Sequence, residues 1–200
     1  MKGKLIVFEG IDGVGKSTQC KLLKEYLMLN KHTVQLFREP TDGPYGNKIR
    51  SLSIEGRSSP EEEYNLFILD RKENVKDNII PCLNRGEIVI LDRYYFSTIA
   101  YQGALGLSIS RIKEENEAFA PIPDLVIILE LSVNEAITRI IEKRKENTNL
   151  FETESYLKKV QTIFNTFRDP YIVRIKSEGT INEIHKRIIS VVDKKLLLNL

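Results

Sequence analysis

Apolar residues along this chain fall into two alternating rhythms. Short, nearly uninterrupted runs at Leu5–Phe8, Ile88–Leu91 and Leu125–Leu131 are too brief for helices and suit strands covered on both faces. Two weaker runs, Thr33–Phe37 and Tyr171–Ile175, read as further strands. Between them, apolar positions recur three and four apart. The stretch from Thr18 to about Asn30 carries Cys20, Leu22, Leu23, Leu27 and Leu29 as its apolar positions while Lys21, Lys24 and Glu25 stay wet, and Ile181, Ile184, Ile188 and Val192 form a second stripe. Ser59-Pro60-Glu61-Glu62, Ser132-Val133-Asn134-Glu135 and Thr180-Ile181-Asn182-Glu183 each place a hydroxyl three residues before a glutamate, the signature of a capped helix start. The helix from Ser59 is predicted to bend near Pro81 and stop at Gly86, and two helical segments over 96–118 break near Gly106. Arg38 to Gly46, rich in Pro and Gly, is predicted to be neither helix nor strand, with a short helix around Ile49, Leu52 and Ile54 after it. Further helices are predicted from Ser132 to about Lys145 and over 151–167.

Strand and helix alternating in this way predict an α/β fold: a five-stranded parallel sheet covered by helices on both faces. Ligands in such a fold lie beyond the C-terminal ends of the strands, where the polar clusters of this chain also fall.

Composition narrows the class. A chain of 200 residues suits one domain, here spanning 1–200, able to bury about 70% of its unfolded surface. A net charge of +2 lacks the basic excess of a nucleic-acid protein. No apolar run approaches a membrane span, and Met1-Lys2-Gly3-Lys4 runs straight into a strand with no cleavable leader, so a cytoplasmic location without membrane contact is expected. Cys20 and Cys82 lie far apart in predicted helices and form no metal or redox motif, so free thiols are expected.

The strongest chemical signal follows the first strand. Gly10, Ile11, Asp12, Gly13, Val14, Gly15, Lys16 and Ser17 form G-x-x-x-x-G-K-S, with Thr18 opening the next helix. This is a phosphate-binding loop in its required context. Its glycines let successive N–H groups turn toward a polyphosphate, and the helix adds its positive end. Lys16 is expected on the β- and γ-phosphates, and Ser17 on Mg²⁺.

Such a loop alone leaves open a GTPase switch, an ATPase motor, a sulfotransferase-like site and a small-molecule kinase. The guanine-specifying N/T-K-x-D and a D-x-x-G after a strand are both missing, and a motor usually needs a longer chain. Arg38, Arg71 and Arg93 follow or face strand ends, and Arg139–Lys145 (RIIEKRK) is a basic cluster beside a helix break. Bringing two polyanions together requires neutralising both, aligning the reacting oxygens and excluding water. A basic flap over about 139–155 fits that need, although the cluster by itself also reads as a solvated helix face.

FEGIDGVGKSTQ (8–19), REPTDG (38–43), LFILDR (66–71), DRYYFSTIAYQG (92–103) and PDLVIILEL (123–131) together resemble the thymidylate kinases, over nearly the whole chain. The resemblance implies a P-loop kinase with a small helical lid that transfers phosphate from ATP to dTMP with Mg²⁺, as a homodimer. It implies catalytic roles for Lys16, Arg93, Arg144 and Asp12, with Asp12 near the acceptor's 3′-hydroxyl. By the same resemblance, Phe67 is expected to stack on the base and Arg71, four residues on, to meet its O4 edge. The resemblance also implies that Arg93 and Arg38 clamp the acceptor phosphate, that Ser97 and Thr98 face the base and Tyr101 the sugar, and that Gln102 is either a substrate contact or a structural one. Asp92 joins Ser17 at the metal, and Glu39 is expected to orient Arg38.

This chain departs from the family pattern at the loop and lid. No arginine lies among Gly13 and Val14, and Asn149-Leu150 stand where a lid Asp-Arg pair is expected, so Arg144 or Arg139 must supply the charge, Arg144 by preference. Another nucleoside monophosphate or deoxynucleoside kinase, with Glu39 as base, and a non-kinase P-loop ATPase are the alternatives.

Overall fold

The computed structural model of the chain describes residues 3–55, 59–144 and 154–197. Five strands, β1 (Lys4–Glu9), β2 (Val34–Arg38), β3 (Ile88–Asp92), β4 (Leu125–Glu130) and β5 (Ile172–Lys176), pair in parallel in the order β2-β3-β1-β4-β5. β1 is central, with Ile6 opposite Ile90 on one side and Val7 opposite Val126 on the other. Its side chains from Leu5 onward are buried, as are those of Val89–Leu91 and Leu125–Leu129, because helices cover both faces. The strand order reverses at β1. A crevice therefore opens above the ends of β1, β3 and β4, the usual ligand position in open parallel sheets.

The described helices are α1 (Lys16–Leu29), α2 (Pro44–Glu55), α3 (Pro60–Asn74), α4 (Ile80–Asn84), α5 (Tyr95–Ala104), α6 (Ile109–Glu117), α7 (Val133–Arg144), α8 (Glu154–Phe164) and α9 (Ile181–Val192). Capping boxes form at Ser59 with Glu62 and at Thr180 with Glu183, as their spacing predicts, and the Ser132 hydroxyl accepts from the Glu135 N–H at 3.2 Å. The helix predicted to run from Ser59 past Pro81 changes type on the way. A π-helical turn, Val75–Ile79, joins α3 to α4 just before the proline, which has no N–H to donate backward.

The predicted loop through Gly46 is a shorter one, since α2 already starts at Pro44. A helix's first residue needs no N–H, so proline is at home there. Inside the helix position 46 must be glycine, because a Cβ there would lie 2.0 Å from the Thr41 carbonyl oxygen. Of the expected flap, α7 runs to Arg144 and α8 starts at Glu154; residues 145–153 and the side chain of Arg144 lie outside the described residues. Cys20 and Cys82 are buried free thiols, and among the described residues no helix is long and apolar enough to cross a membrane.

Candidate active site

The loop between β1 and α1 takes left-handed backbone at Gly10 (φ 129°), Gly13 (φ 84°) and Gly15 (φ 93°). At Gly13 a Cβ would also come within 2.3 Å of the Ala136 carbonyl oxygen on α7, so the loop packs directly against that helix. Lys16 folds back over the loop and donates to the carbonyls of Gly10 at 2.9 Å and Ile11 at 2.8 Å. Burial and the nearby Arg93 guanidinium pull its ammonium down to about 8. The exposed Ser17 hydroxyl donates to the Asp92 carboxylate at the end of β3. Two hard oxygens from adjacent elements fit Mg²⁺, whose remaining ligands would be water and phosphate oxygens.

β3 delivers Arg93 in a left-handed conformation (φ 75°), uncommon for a side chain this large. The turn aims its guanidinium at the loop. Nη2 donates to Asp12 Oδ1 at 2.5 Å and to the Tyr101 hydroxyl at 3.2 Å, and Nη1 donates to Ser97 Oγ at 2.8 Å. Tyr101, whose ring lies 4.9 Å from the guanidinium carbon, donates to Asp12 Oδ2 at 2.8 Å. Burial would raise the Asp12 carboxyl, but Arg93 and Lys16 outweigh it and hold the group far below the usual carboxylate range. Arg93, Asp12 and Tyr101 are thus one hydrogen-bonded cluster, bridging the phosphate loop, the end of β3 and α5.

Glu9, the last residue of β1, lies beneath this cluster and is wholly buried. It accepts from the Tyr94 N–H at 2.8 Å, the Ser97 N–H at 3.2 Å and the Ser97 hydroxyl at 2.5 Å. Burial pushes its carboxyl up to about 7, with the Ser97 hydrogen bond and Arg93 opposing.

A second polar cluster lies between α3 and α5. Arg71 is 1% exposed and donates to Glu39 Oε2 at 2.7 Å, Asn116 Oδ1 at 2.5 Å and Thr98 Oγ1 at 2.9 Å. Glu39 also accepts from Asn74 at 3.1 Å, and burial raises its carboxyl despite Arg71. Glu39 therefore orients Arg71 and not Arg38, which stays exposed and pairs with Asp42 at 2.5 Å. Two turns before Arg71, Glu63 accepts from the buried Gln102 at 2.9 Å. Phe67 lies midway between Glu63 and Arg71, half-buried and apart from the main core.

A cleft of about 880 Å³ runs along the loop from Asp12 to Gln19 and is walled by Arg38, Asp92, Arg93, Arg139 and the segment from Ser177 to Ile184. Arg139 donates to the Ser177 carbonyl at 3.0 Å, and the Ser177 hydroxyl donates to the Val14 carbonyl at 2.6 Å, so α7 and the β5–α9 turn are tied to the loop.

The Thymidylate kinase family model matches residues 8–188. The chain belongs to the thymidylate kinase family. It is 47% identical to the thymidylate kinase of Desulfotalea psychrophila over 98% of this chain and 96% of that protein. It is 43% identical to that of Akkermansia muciniphila (94% and 90% covered) and 39% identical to the probable thymidylate kinase of Archaeoglobus fulgidus (97% of each).

In this family member, the loop lacks an arginine for a visible reason: position 13 touches the α7 backbone and has no room for a side chain. Ser97 and Thr98, both expected to face the base, have polar partners within the protein: Ser97 bridges Arg93 and Glu9, and Thr98 accepts from Arg71. Sequence reasoning passed over Glu9, Asn74 and Asn116. A carboxylate ending an apolar strand signals Glu9; nothing in the local pattern marks the two asparagines.

Proposed function

We propose that this chain transfers the γ-phosphoryl group of ATP to dTMP, giving ADP and dTDP, the reaction of the family to which it belongs. The observation carrying this reading is the 2.5 Å contact between Arg93 and Asp12. It sets an arginine suited to an acceptor phosphate against the loop suited to the donor, so two phosphate sites adjoin.

The loop N–H groups and the start of α1 cradle the donor phosphates, and Lys16 leaves the Gly10 and Ile11 carbonyls for the β/γ bridge. Ser17 and Asp92 hold Mg²⁺, which when bound adds positive charge beside those phosphates. Arg93 clamps the acceptor phosphate, with Arg38 at the cleft rim as a second cation. Asp12, held ionised, accepts from the 3′-hydroxyl, and Tyr101 presses on the sugar. Phe67 stacks on the base, Arg71 reaches its O4 edge from beside Thr98, and Gln102 borders the same face. The acceptor oxygen of dTMP is already largely ionised near neutral pH, so alignment and charge carry the step without a general base. Arg144, at the end of α7, meets charge on the transferring group, and the active species is a homodimer.

Glu39 as base of a deoxynucleoside kinase is the weaker reading, since its oxygens are engaged by Arg71 and Asn74. Transfer from ATP across a panel of monophosphates and thymidine tests both. Fastest turnover of dTMP is expected; preferred phosphorylation of thymidine, or ATP hydrolysis indifferent to every acceptor, would overturn the proposal.

A further inference from the structure

α5 begins without a cap of its own. Its N-cap residue is Tyr94, whose side chain makes no capping hydrogen bond, yet the helix start is buried among residues that are themselves 0% exposed. The first N–H groups of a helix have no partner within it, and leaving them unmet in the interior is costly. Glu9 serves two of them from another element: Oε1 accepts the N–H of Tyr94 and also that of Ser97, which it shares with the Tyr94 carbonyl. Its other oxygen is left for a different task. Oε2 accepts the Ser97 hydroxyl at 2.5 Å, and Ser97 Oγ accepts Arg93 Nη1 at 2.8 Å.

The order of donors in this chain is dictated by proton count. A serine hydroxyl has one proton and two lone pairs, and a guanidinium only donates. Once Ser97 gives its proton to Glu9, its lone pairs turn to Arg93. We infer that Glu9 is a positioning residue for the acceptor clamp, fixing Arg93 through the Ser97 hydroxyl while its other oxygen anchors the start of α5. Arg93 needs such support because its own backbone is left-handed and its Nη2 is drawn to Asp12 and Tyr101. With Nη1 pinned, the guanidinium plane is set from both ends, and a planar fork meets a phosphate well only in the correct plane.

The inference rests on the reading of Arg93 as the acceptor-phosphate clamp, and the experiment separates the two. Glu9→Gln keeps an oxygen for the two backbone N–H groups but presents an amide N–H to Ser97, so Ser97 no longer has an acceptor for its proton and faces two donors. Steady-state kinetics with ATP and dTMP would be measured for Glu9→Gln, Ser97→Ala, the double variant and Arg93→Ala. About a tenfold rise in KM for dTMP is expected for each of the first two, with KM for ATP within about twofold of the parent. The double variant should match the singles, since both cut one relay. Multiplying effects, parallel losses for both substrates, or an unchanged KM for dTMP in Glu9→Gln would each overturn the inference. If Arg93→Ala leaves KM for dTMP unchanged, the clamp reading itself fails. Should Glu9→Gln fold poorly, Ser97→Ala carries the same test, because it cuts the relay and leaves the Glu9 anchor of α5 whole.

Discussion

The Arg71 guanidinium donates from Nε to Glu39 Oε2 at 2.7 Å, with both side chains almost wholly buried. The pair joins the end of β2 to α3, and Asn116 and Thr98 extend it to α6 and α5. A residue proposed to read the base is therefore also part of the interior.

Arg71→Ala should show both roles. Stripping one partner from a buried pair leaves an uncompensated carboxylate, so stability should fall by about 3–5 kcal/mol in chemical denaturation. Affinity for dTMP should fall by about 1.5–3 kcal/mol by calorimetry, with ATP affinity nearly unchanged. Equal losses for both ligands would reduce Arg71 to a structural residue.

Lys16→Ala should abolish turnover and leave the fold intact. The side chain's hydrogen bonds go to two carbonyls of its own loop, and Lys16 is no part of the apolar core. Activity assays beside circular dichroism check this; turnover near the parent's would sink the loop's assignment.

At the lid, Arg144→Ala should lower kcat by about 10²-fold, equivalent to about 3 kcal/mol, with little change in affinity for dTMP. Arg139→Ala should be milder, because Arg139 is occupied at the Ser177 carbonyl and braces α7 against the β5–α9 turn. Kinetics on both variants decides; a crippled Arg139→Ala beside an active Arg144→Ala would exchange their roles.

Glu9 predicts a pH effect on stability. Its folded-state carboxyl titrates near 7 against an ordinary value of 4.5, so the native state binds more protons than the unfolded chain between those values. Stability from this group is therefore full below about 4.5 and lost as pH rises toward 7. Glu9→Gln removes the dependence. The parent's advantage in Tm over Glu9→Gln should shrink between pH 5 and 7.5; an advantage that grows would contradict the burial argument.

Sedimentation at micromolar concentration should give about twice the chain mass of 23.1 kDa. Leu69 on α3 and Ile80 on α4 are each 40% exposed and offer an apolar face to a second copy. α5 takes no part in this face, since Tyr95–Gln102 are all buried within the protomer. A clean monomer would refute the prediction.

The strands, most helix starts and the phosphate loop are legible in the chain because each is written in a pattern only a few residues long. Alternation sets strand burial, a hydroxyl and a glutamate three apart close a capping box, and the spacing of Gly10, Gly15 and Lys16 shapes a loop through its own backbone. The sequence also put Arg93 just past a buried strand. What that arginine touches depends on Asp12 and Tyr101, which are distant in the chain, and only the tertiary structure brought them together. The same holds for Glu39, whose neighbour in sequence is Arg38 but whose partner is Arg71, thirty-two residues away. Glu39, one residue past the end of β2, turned inward where Arg38 turned to water. Ser97 followed the same logic: a helix's first turn faces whatever lies beneath it, and here that is the carboxylate of Glu9.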